Sequence, residues 1–402
     1  MPGDGSIELT SDSLTIIEEL FNKEYENNNY KDELEEIDHV LFRSLYDFLE
    51  ENDNNKYNPE EIYESIQEEI RIHSQELNKY IAKECTEYIT KKLDTRYDFV
   101  FKINNKTINI CIRNAGEIIT KDLNKILVKL IYAISIVINL SEEEKTIDMV
   151  IYLTPFKKKL DGIRIRESLT PDEINSGSTL CSHQPHIIVN REEEFYKVVI
   201  HELIHAMNYD VKSDTNDISQ LIKEKMNIDT PFNHFEAYTE IWANILNAYF
   251  ISKYMNRDKD NKDNITFEFF MELVNIERLW SIFQTGKILY LTNCNIEPYI
   301  RYKSLCKLNL NTNVYAYFIL RSCMMFNIND FIVKMKDKNL NYINLNSDVK
   351  YFNEYVHDLI NKTIHNKNYK SLLKKNIRDL TTMEKKSIQL SLRMSACELK
   401  LI

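Results

Sequence analysis

Apolar residues recur along this chain at two spacings, and the change from one spacing to the other separates its predicted elements. Before residue 93 they recur every three or four positions, which is the period of an amphipathic helix. One such helix is predicted over 34–48 and a longer one over 62–81. Polar stretches at 27–29 and 52–58 separate these patterns, so we expect a set of helices here.

From Tyr97 the apolar positions alternate, which is the period of a strand. Two alternating runs on either side of Asn104-Asn105 predict a β-hairpin. The elements predicted after the hairpin are a helix over 118–140 and strands over 148–153, 174–180 and 186–190.

Helical spacing returns at residue 192 and continues through most of the remaining chain. The predicted helices are 192–210, 216–226, 233–254, 265–290, 312–327 and 352–364. Because the strands are confined to the middle of the chain, the pattern predicts an α+β fold that is mostly helical and contains a small mixed sheet.

Composition agrees with this fold class and limits the partners. Only six glycines and seven prolines occur in 402 residues, too few for a turn-rich β-sandwich. Hydrophobic residues make up 43% of the chain, which is enough to bury a sizeable core. The net charge of −11 argues against nucleic acid or an anionic membrane as the main partner.

Cysteine usage and the first residues indicate a reducing compartment. The chain has seven cysteines, an odd number, without a Cys-x-x-Cys pair. The first residues lack the basic and hydrophobic runs of a signal peptide. The longest apolar run, 126–140, contains Lys129 and is too short to span a bilayer. We therefore expect a soluble cytoplasmic protein with free thiols.

The predicted helix over 192–210 carries the candidate chemistry. His201 and His205 are four residues apart, so both imidazoles project from one face of the helix. Two neutral imidazoles at this spacing can bind a zinc ion, and Glu202 would lie beside the metal. This is the His-Glu-x-x-His arrangement of zinc hydrolases. A hydrogen-bonded histidine pair without metal is the alternative, and a third ligand would separate the two.

The best third ligand lies on the helix predicted next. Glu236 and Glu240 are four residues apart, beside its apolar side, where a purely structural helix rarely has two carboxylates. A metal ion and its histidines would satisfy both. The metzincin pattern requires glycine and histidine where this chain has Asn208 and Val211. Asp210 is out of register for the aspartate variant of that pattern.

Residues 201–205 together with 236–240 resemble the gluzincin zinc metallopeptidases, which include thermolysin, anthrax lethal factor and the clostridial neurotoxin light chains. In that group a glutamate on a later helix is the third ligand, and an acidic residue four positions on often braces a ligand histidine. Glu236 matches the ligand and Glu240 the brace. Thermolysin has aspartate at the brace position, whereas lethal factor has glutamate, as here.

The resemblance implies a zincin-like two-lobed fold with one catalytic Zn²⁺ and a protein or peptide substrate. The motif-level resemblance covers roughly residues 147–250. The apolar pattern and the charge assign 1–95 to an acidic helical N-terminal region, and the order of strands and helices assigns 96–210 to an upper lobe with the sheet and the metal-binding helix. Residues 211–402 would form a helical lower lobe that carries the third ligand. The stretch 191–205 also resembles metallopeptidase-like proteins of large DNA viruses, so a virion-associated location is a second possibility.

The implied reaction is hydrolysis of a peptide bond by a zinc-activated water. His201, His205 and Glu236 would be the ligands, Glu202 the general base, and Glu240 the brace, with His201 as its expected partner. Relatives place a Tyr, His or Arg of the lower lobe near the oxyanion. Tyr317, with Arg321 one helical turn on, is the candidate here, and His357 is its alternative.

Three alternatives remain open at the level of sequence. A non-catalytic protein could use zinc only to hold two lobes together, as a structural or virion-associated scaffold. Cys181, His183 and His186 could form a second metal site or simply a loop near the cleft, and Cys181 alone could cap the zinc. The acidic N-terminal helices could bind or inhibit a protein partner, or serve only as structural support.

Overall fold

A computed structural model gives the fold of this chain over most of its length. The residues it describes are 8–26, 33–54, 67–68, 81–160, 169–210, 220, 233–257, 262–292, 313–338, 342–345, 349–382 and 387–402. The predicted helix over 216–226 lies outside these residues except at position 220. Helices predominate and a small mixed sheet lies among them, so the predicted α+β class is confirmed.

The sheet has five strands of four residues or more and a two-residue strand at one edge. The strands are β1 (Gln67–Glu68), β2 (Thr95–Ile103), β3 (Lys106–Asn114), β4 (Lys145–Tyr152), β5 (Gly177–Leu180) and β6 (His186–Val189). Their spatial order is β1-β2-β3-β4-β6-β5. Strands β3, β4 and β6 run parallel, whereas β2 and β5 pair antiparallel with their neighbours.

Local sequence explains the connections within this sheet. The β2–β3 hairpin turns at Asn104, whose φ of 56° lies in the left-handed region that asparagine tolerates better than most residues. Parallel pairing of β3 with β4 requires a crossover, and the isoleucine-rich helix Thr120–Ile138 supplies it. The predictions of this hairpin and of the following helix are confirmed.

Most of the described helices pack around one large apolar cluster, and a second, smaller cluster includes Cys85, Ile89 and Val150. The α-helices are α1 (Ser11–Glu26), α2 (His39–Asn54), α3 (Lys83–Lys92), α4 (Thr120–Ile138), α5 (Pro171–Ile174), α6 (Phe195–Ala206), α7 (Phe235–Asn256), α8 (Lys262–Leu291), α9 (Arg321–Phe326), α10 (Ile328–Lys338), α11 (Val349–His365), α12 (Lys367–Thr382) and α13 (Ser387–Leu390). A π-helical segment, Tyr315–Leu320, leads directly into α9.

The N-terminal helices pack into the same core as the rest of the molecule. Phe42, Leu45 and Leu49 of α2 are buried and belong to one apolar cluster with residues of α4, α7 and α8. Burying a side chain of this size contributes about 1.5–3 kcal/mol.

The predicted helix over 62–81 is wrong where the structure describes it, because Gln67–Glu68 pairs with β2.

Helix α6 is shorter than the stretch 192–210 predicted for it. Glu194 precedes the helix with a φ of 59°, and the three glutamates at 192–194 lie outside the helix. The environment of Glu194 explains why the helix begins later than predicted. Glu194 is buried and forms an ion pair with Lys158, so it does not act as a first-turn helix charge.

Residues 391–399 form an extended segment inside the molecule. Every one of them is buried, although none belongs to a helix or a multi-residue strand. Leu399 forms a β-bridge with Leu9, and Ser391 forms one with Lys159. Because an extended buried backbone must find hydrogen-bond partners, side chains of neighbouring helices are needed to hold it. We refer to it below as the 391–399 segment.

None of the described helices combines the length and apolar character that crossing a bilayer requires.

Candidate metal centre

The side chains of His201 and His205 on helix α6 are directed toward the same point. His201 and His205 are one turn apart, and both are buried, with 7% and 9% of their surface exposed. Their Nε2 atoms are 3.1 Å apart. The apolar residues Val199, Leu203 and Ile204 fix the opposite side of the helix in the core. The histidine face is thus held toward the interior by packing.

Helix α7 brings a carboxylate to the same point. Glu236 lies in its first turn, and its Oε2 atom is 3.5 Å from His201 Nε2 and 3.4 Å from His205 Nε2. Asn233 accepts a hydrogen bond from the backbone N–H of Phe235 and fixes the start of the helix. Within the described part of the chain, Glu236 Oε2 is a buried acceptor without a hydrogen-bond partner.

The three atoms have the spacing that one small cation requires. A tetrahedral ion with bonds of about 2.0–2.1 Å places its ligand atoms about 3.3–3.4 Å apart. The observed sides of 3.1, 3.5 and 3.4 Å are close to that edge length. His201, His205 and Glu236 are the one group of three potential ligands in mutual range among the described residues. They therefore fit a metal ion.

Carboxylates on the outer side of both imidazoles set their tautomers. His201 Nδ1 lies 2.8 Å from Glu240 Oε2, and His205 Nδ1 lies 2.5 Å from Asp210 Oδ2. Each carboxylate favours a proton on the Nδ1 atom that faces it, and in the neutral ring this would leave a lone pair on Nε2 toward the other ligands. Two such lone pairs and a carboxylate oxygen repel one another unless a cation or a proton lies between them. Either a metal ion or a shared proton could occupy the space between them.

The titration behaviour of the group follows from the same charges. Burial opposes a charged imidazole, but Asp210 and Glu236 outweigh it and raise the pKa of His205 well above its ordinary range. Burial likewise opposes the charge on Glu236, yet His205 and His201 lower the pKa of its carboxyl. Protons therefore compete with a metal ion for this site.

Glu202 lies beside the three ligands without joining them. Its side chain is 5% exposed, and its Oε2 accepts a 2.7 Å hydrogen bond from the Thr179 hydroxyl of β5. A methyl group at Gly177 would come within 2.7 Å of Glu202 Oε1, so glycine permits this close approach of strand and helix. Burial raises the pKa of the Glu202 carboxyl.

Tyr317 lies near His201, on the π-helical segment. Its ring centre is 6.2 Å from that of His201. Burial and the charges of Glu236 and Glu202 raise the pKa of its hydroxyl well above the ordinary value. Tyr317 therefore keeps its proton and can act as a hydrogen-bond donor. π-helical turns are frequent at functional sites.

The structure brings Glu202, Glu240 and Tyr317 together with the three predicted ligands. Arg321 is placed differently, because it is fully buried and its Nη1 atom lies 3.3 Å from Glu240 Oε1. It supports the carboxylate behind His201 and does not face the ligand atoms. The alternative donor, His357, lies on α11 with Nδ1 3.3 Å from Asp358.

Two polar partners of this site were not predicted from the sequence. Asp210 was considered only as a ligand, whereas the structure makes it the carboxylate behind His205. Asn208 has a φ of 55°, and the turn it forms after α6 carries Asp210 back toward the helix. Lys197, one turn before His201, forms a buried ion pair with Glu240. The signal available in the sequence was that Lys197 lies four residues before His201 and therefore on the same face of the helix.

Cys181, His183 and His186 do not assemble a second metal group within the described residues. His186 is buried on β6, whereas His183 is exposed in the turn before it. Cys181 Sγ lies 3.8 Å from the backbone carbonyl of His205, so it contacts the end of α6. The three side chains thus lie in different environments.

Comparison with known proteins gives a distant viral similarity. The chain is 26% identical over 285 residues to an uncharacterised protein of Acanthamoeba polyphaga mimivirus. The match covers 65% of this chain and 69% of the mimivirus protein. No family model and no solved structure matches the chain. The similarity supports a relationship to viral proteins and leaves the chemistry to be argued from the site.

Proposed function

We propose that this protein is a zinc-dependent metallopeptidase. The observation that carries the proposal is the position of Glu202. Three other side chains, His201, His205 and Glu236, form the group that could bind a metal ion, and a fourth side chain, the carboxylate Glu202, lies beside them outside that group. A site that only stabilises the fold has no use for such a carboxylate, and it commonly has four protein ligands.

Zinc is the metal that this donor set suits. Two imidazoles and one carboxylate form the three-ligand set of catalytic zinc sites, which leave one position open. When bound there, zinc supplies Lewis acidity and lowers the pKa of a water molecule toward ~7. Glu240 and Asp210 would hold the two imidazoles in the tautomer that this role requires.

Glu202 is the proposed general base. It would accept the proton of the attacking water and later give it to the leaving amine. The hydrogen bond from Thr179 holds one carboxylate oxygen, and the glycine at 177 leaves space for the other. Burial raises the pKa of Glu202, which makes it a stronger base once it is ionised.

Strand β5 is the proposed support for the substrate. It is the last strand of the sheet, and Thr179 and Gly177 on it contact Glu202. An extended peptide can pair with such an edge through its backbone. This would place a scissile bond beside the base. Tyr317, whose ring lies near that of His201, would donate a hydrogen bond to the developing oxyanion.

The viral similarity suggests where such an enzyme would act. A protein related to viral proteins and carrying no described membrane-spanning helix fits the infected cytoplasm or the virion. Its substrate would be a protein or peptide, with the acidic N-terminal helices as an additional docking region. The competing proposal is a scaffold in the same compartments that uses zinc only for stability.

A single substitution separates the enzyme from the scaffold. Wild type and Glu202→Gln are loaded with zinc to equal content and incubated with a panel of unfolded proteins and peptides. The proposal predicts cleavage by wild type and at least about a hundredfold less by the variant, since removing a general base costs roughly that much. Equal inactivity of both proteins at full zinc content would favour the scaffold.

A further inference from the structure

Two buried arginines of the helical region are bound in different ways. Arg278 hydrogen-bonds through all three side-chain nitrogens, with Nε to Met325 O, Nη1 to Asn275 Oδ1 and Nη2 to Glu35 O. Arg321 is equally buried, but all its hydrogen bonds come from Nη1. Among the described residues, its Nε and Nη2 atoms have no hydrogen-bond partner.

An incompletely bonded guanidinium in the interior is destabilising by itself. Each buried donor without a partner costs about 1–3 kcal/mol, and burying the charge adds to this. Hydrogen bonding alone therefore explains Arg278 but not Arg321. The group that compensates Arg321 is a charge, because Nη1 lies 3.3 Å from the Oε1 atom of the buried carboxylate Glu240.

The two carboxylate oxygens of Glu240 face different groups: one faces the candidate metal centre, and the other faces two buried cations. Its Oε2 atom faces His201 Nδ1 at 2.8 Å. Its Oε1 atom is bound by Lys197 and by Arg321. Because one carboxylate plane joins the two oxygens, the groups on Oε1 determine how Oε2 meets the imidazole.

The same nitrogen of Arg321 also binds the 391–399 segment. Nη1 donates to the carbonyl of Met394 and, at 3.1 Å, to Asn244 Oδ1. Asn244 in turn donates to Glu277 Oε2 at 3.1 Å. Glu277 Oε1 accepts hydrogen bonds from the backbone N–H groups of Ala396 and Cys397, both at 3.0 Å. Arg321 is thus the junction between this segment and Glu240.

We propose that Arg321 is a positioning residue through which the 391–399 segment holds Glu240 against His201 and thereby sets the affinity of the metal site. The proposal rests on the metal-binding part of the proposed function and not on catalysis. It gives the buried 391–399 segment a role beyond packing. It also explains why a cation with two unsatisfied donors is tolerated at this position.

The test measures metal affinity in the full-length protein. Zinc dissociation constants are obtained by chelator competition for wild type, Arg321→Met, Arg321→Lys and Asn244→Leu. Arg278→Met is the matched control, because it removes an equally buried arginine that does not contact Glu240. The visible absorption of Co²⁺-loaded protein reports ligand geometry, and the melting temperature without metal reports the stability of the fold.

The expected result is a ten- to hundredfold weaker zinc affinity in Arg321→Met, the usual effect of losing support for a metal-bound histidine. Arg321→Lys should recover part of the loss because the charge remains. Asn244→Leu, which keeps Arg321, should show a smaller loss. The Co²⁺ spectrum should change in Arg321→Met and remain unchanged in Arg278→Met, even if both lower the metal-free melting temperature.

Two results would overturn the proposal. One is an unchanged affinity and spectrum in folded Arg321→Met or, should that variant not fold, in Asn244→Leu. The other is an equal loss of affinity in Arg278→Met, because this would reduce the role of Arg321 to general stability. If wild type itself binds neither zinc nor Co²⁺, the proposed function fails first, and the two failures are thereby distinguished.

Discussion

Two short stretches of this chain are rich in potential metal ligands, and only one of them forms a group in space. His201 and His205 lie on a helix and meet Glu236 from another helix, with all three ligand atoms within 3.5 Å of one another. Cys181, His183 and His186 are as close in sequence. They lie on a turn and a strand, and they form no such group with other described residues.

The difference shows that potential metal ligands that are close together in the sequence need not be close together in the folded protein. A helix places residues four apart on one face, whereas a strand followed by a turn spreads its side chains over both faces. A site also needs a second element that brings the remaining donor. Helix α7 does this for His201 and His205, and the described residues around His186 provide only Asp148 nearby.

The largest expected effect tests the two stretches directly. His201→Ala should lower zinc affinity by about a thousandfold, because total binding energies of about 10–16 kcal/mol are shared among few ligands. His183→Ala and Cys181→Ser should leave one zinc ion per chain with unchanged affinity. Metal analysis after dialysis against a chelator measures both. A loss of zinc in Cys181→Ser comparable to that in His201→Ala would remove the distinction between the two stretches.

Much of the fold could be predicted because its elements follow simple periods. The hairpin β2–β3, helix α4 and helix α7 have clear patterns and are present where they were predicted. The 391–399 segment was not predicted, because its extended backbone is held by side chains of other elements. For example, the side chain of Glu277 accepts hydrogen bonds from the backbone of Ala396 and Cys397, which lie 119 and 120 residues further along the chain.

The candidate site, like the fold, could be predicted only in part. The ligand atoms follow from helical spacing and from the resemblance, and the structure brings them together. The surrounding polar groups do not follow, because each is set by a tertiary contact. Asp210 depends on the turn at Asn208, and Thr179 depends on the approach of β5 to α6 at Gly177. Such contacts leave no periodic signal in the sequence.

The next effect concerns the carboxylates behind the histidines. Glu240→Gln and Asp210→Asn should each weaken zinc binding about ten- to hundredfold, since both hold a ligand imidazole in its tautomer. Asp148→Asn is the matched control near the other stretch, where Asp148 accepts a 2.7 Å hydrogen bond from Gln184. Its zinc affinity should equal that of wild type. Isothermal titration with zinc compares the three, and equal affinities throughout would contradict the assigned roles.

The smallest effect is a difference in titration between two buried histidines of the metal-free protein. Burial opposes the charge on His205, but Asp210 and Glu236 raise its pKa well above the ordinary value. Burial lowers the pKa of His186 despite the nearby Asp148. NMR titration of the imidazole protons should therefore place His205 above and His186 below about 6.5. Transitions in the opposite order would contradict the assigned environments.

The same shifts predict opposite contributions to stability. A raised folded-state pKa means that the contribution of His205 is fully present below about pH 6.5 and is lost as the pH rises through its folded value. The contribution of His186, whose pKa is lowered, is present above about pH 6.5 and is lost as the pH falls. Zinc requires neutral imidazoles, so the increase in melting temperature on adding zinc should grow as the pH rises through the raised folded-state pKa of His205.

The most direct test of the account is an anomalous diffraction measurement at the zinc edge on zinc-loaded crystals. The account predicts one strong peak per chain, about 2.0–2.2 Å from the Nε2 atoms of His201 and His205 and from a carboxylate oxygen of Glu236. The fourth position should hold no protein atom. A peak at Cys181 or His186, or a Glu236 side chain turned away from a fully occupied metal, would contradict it.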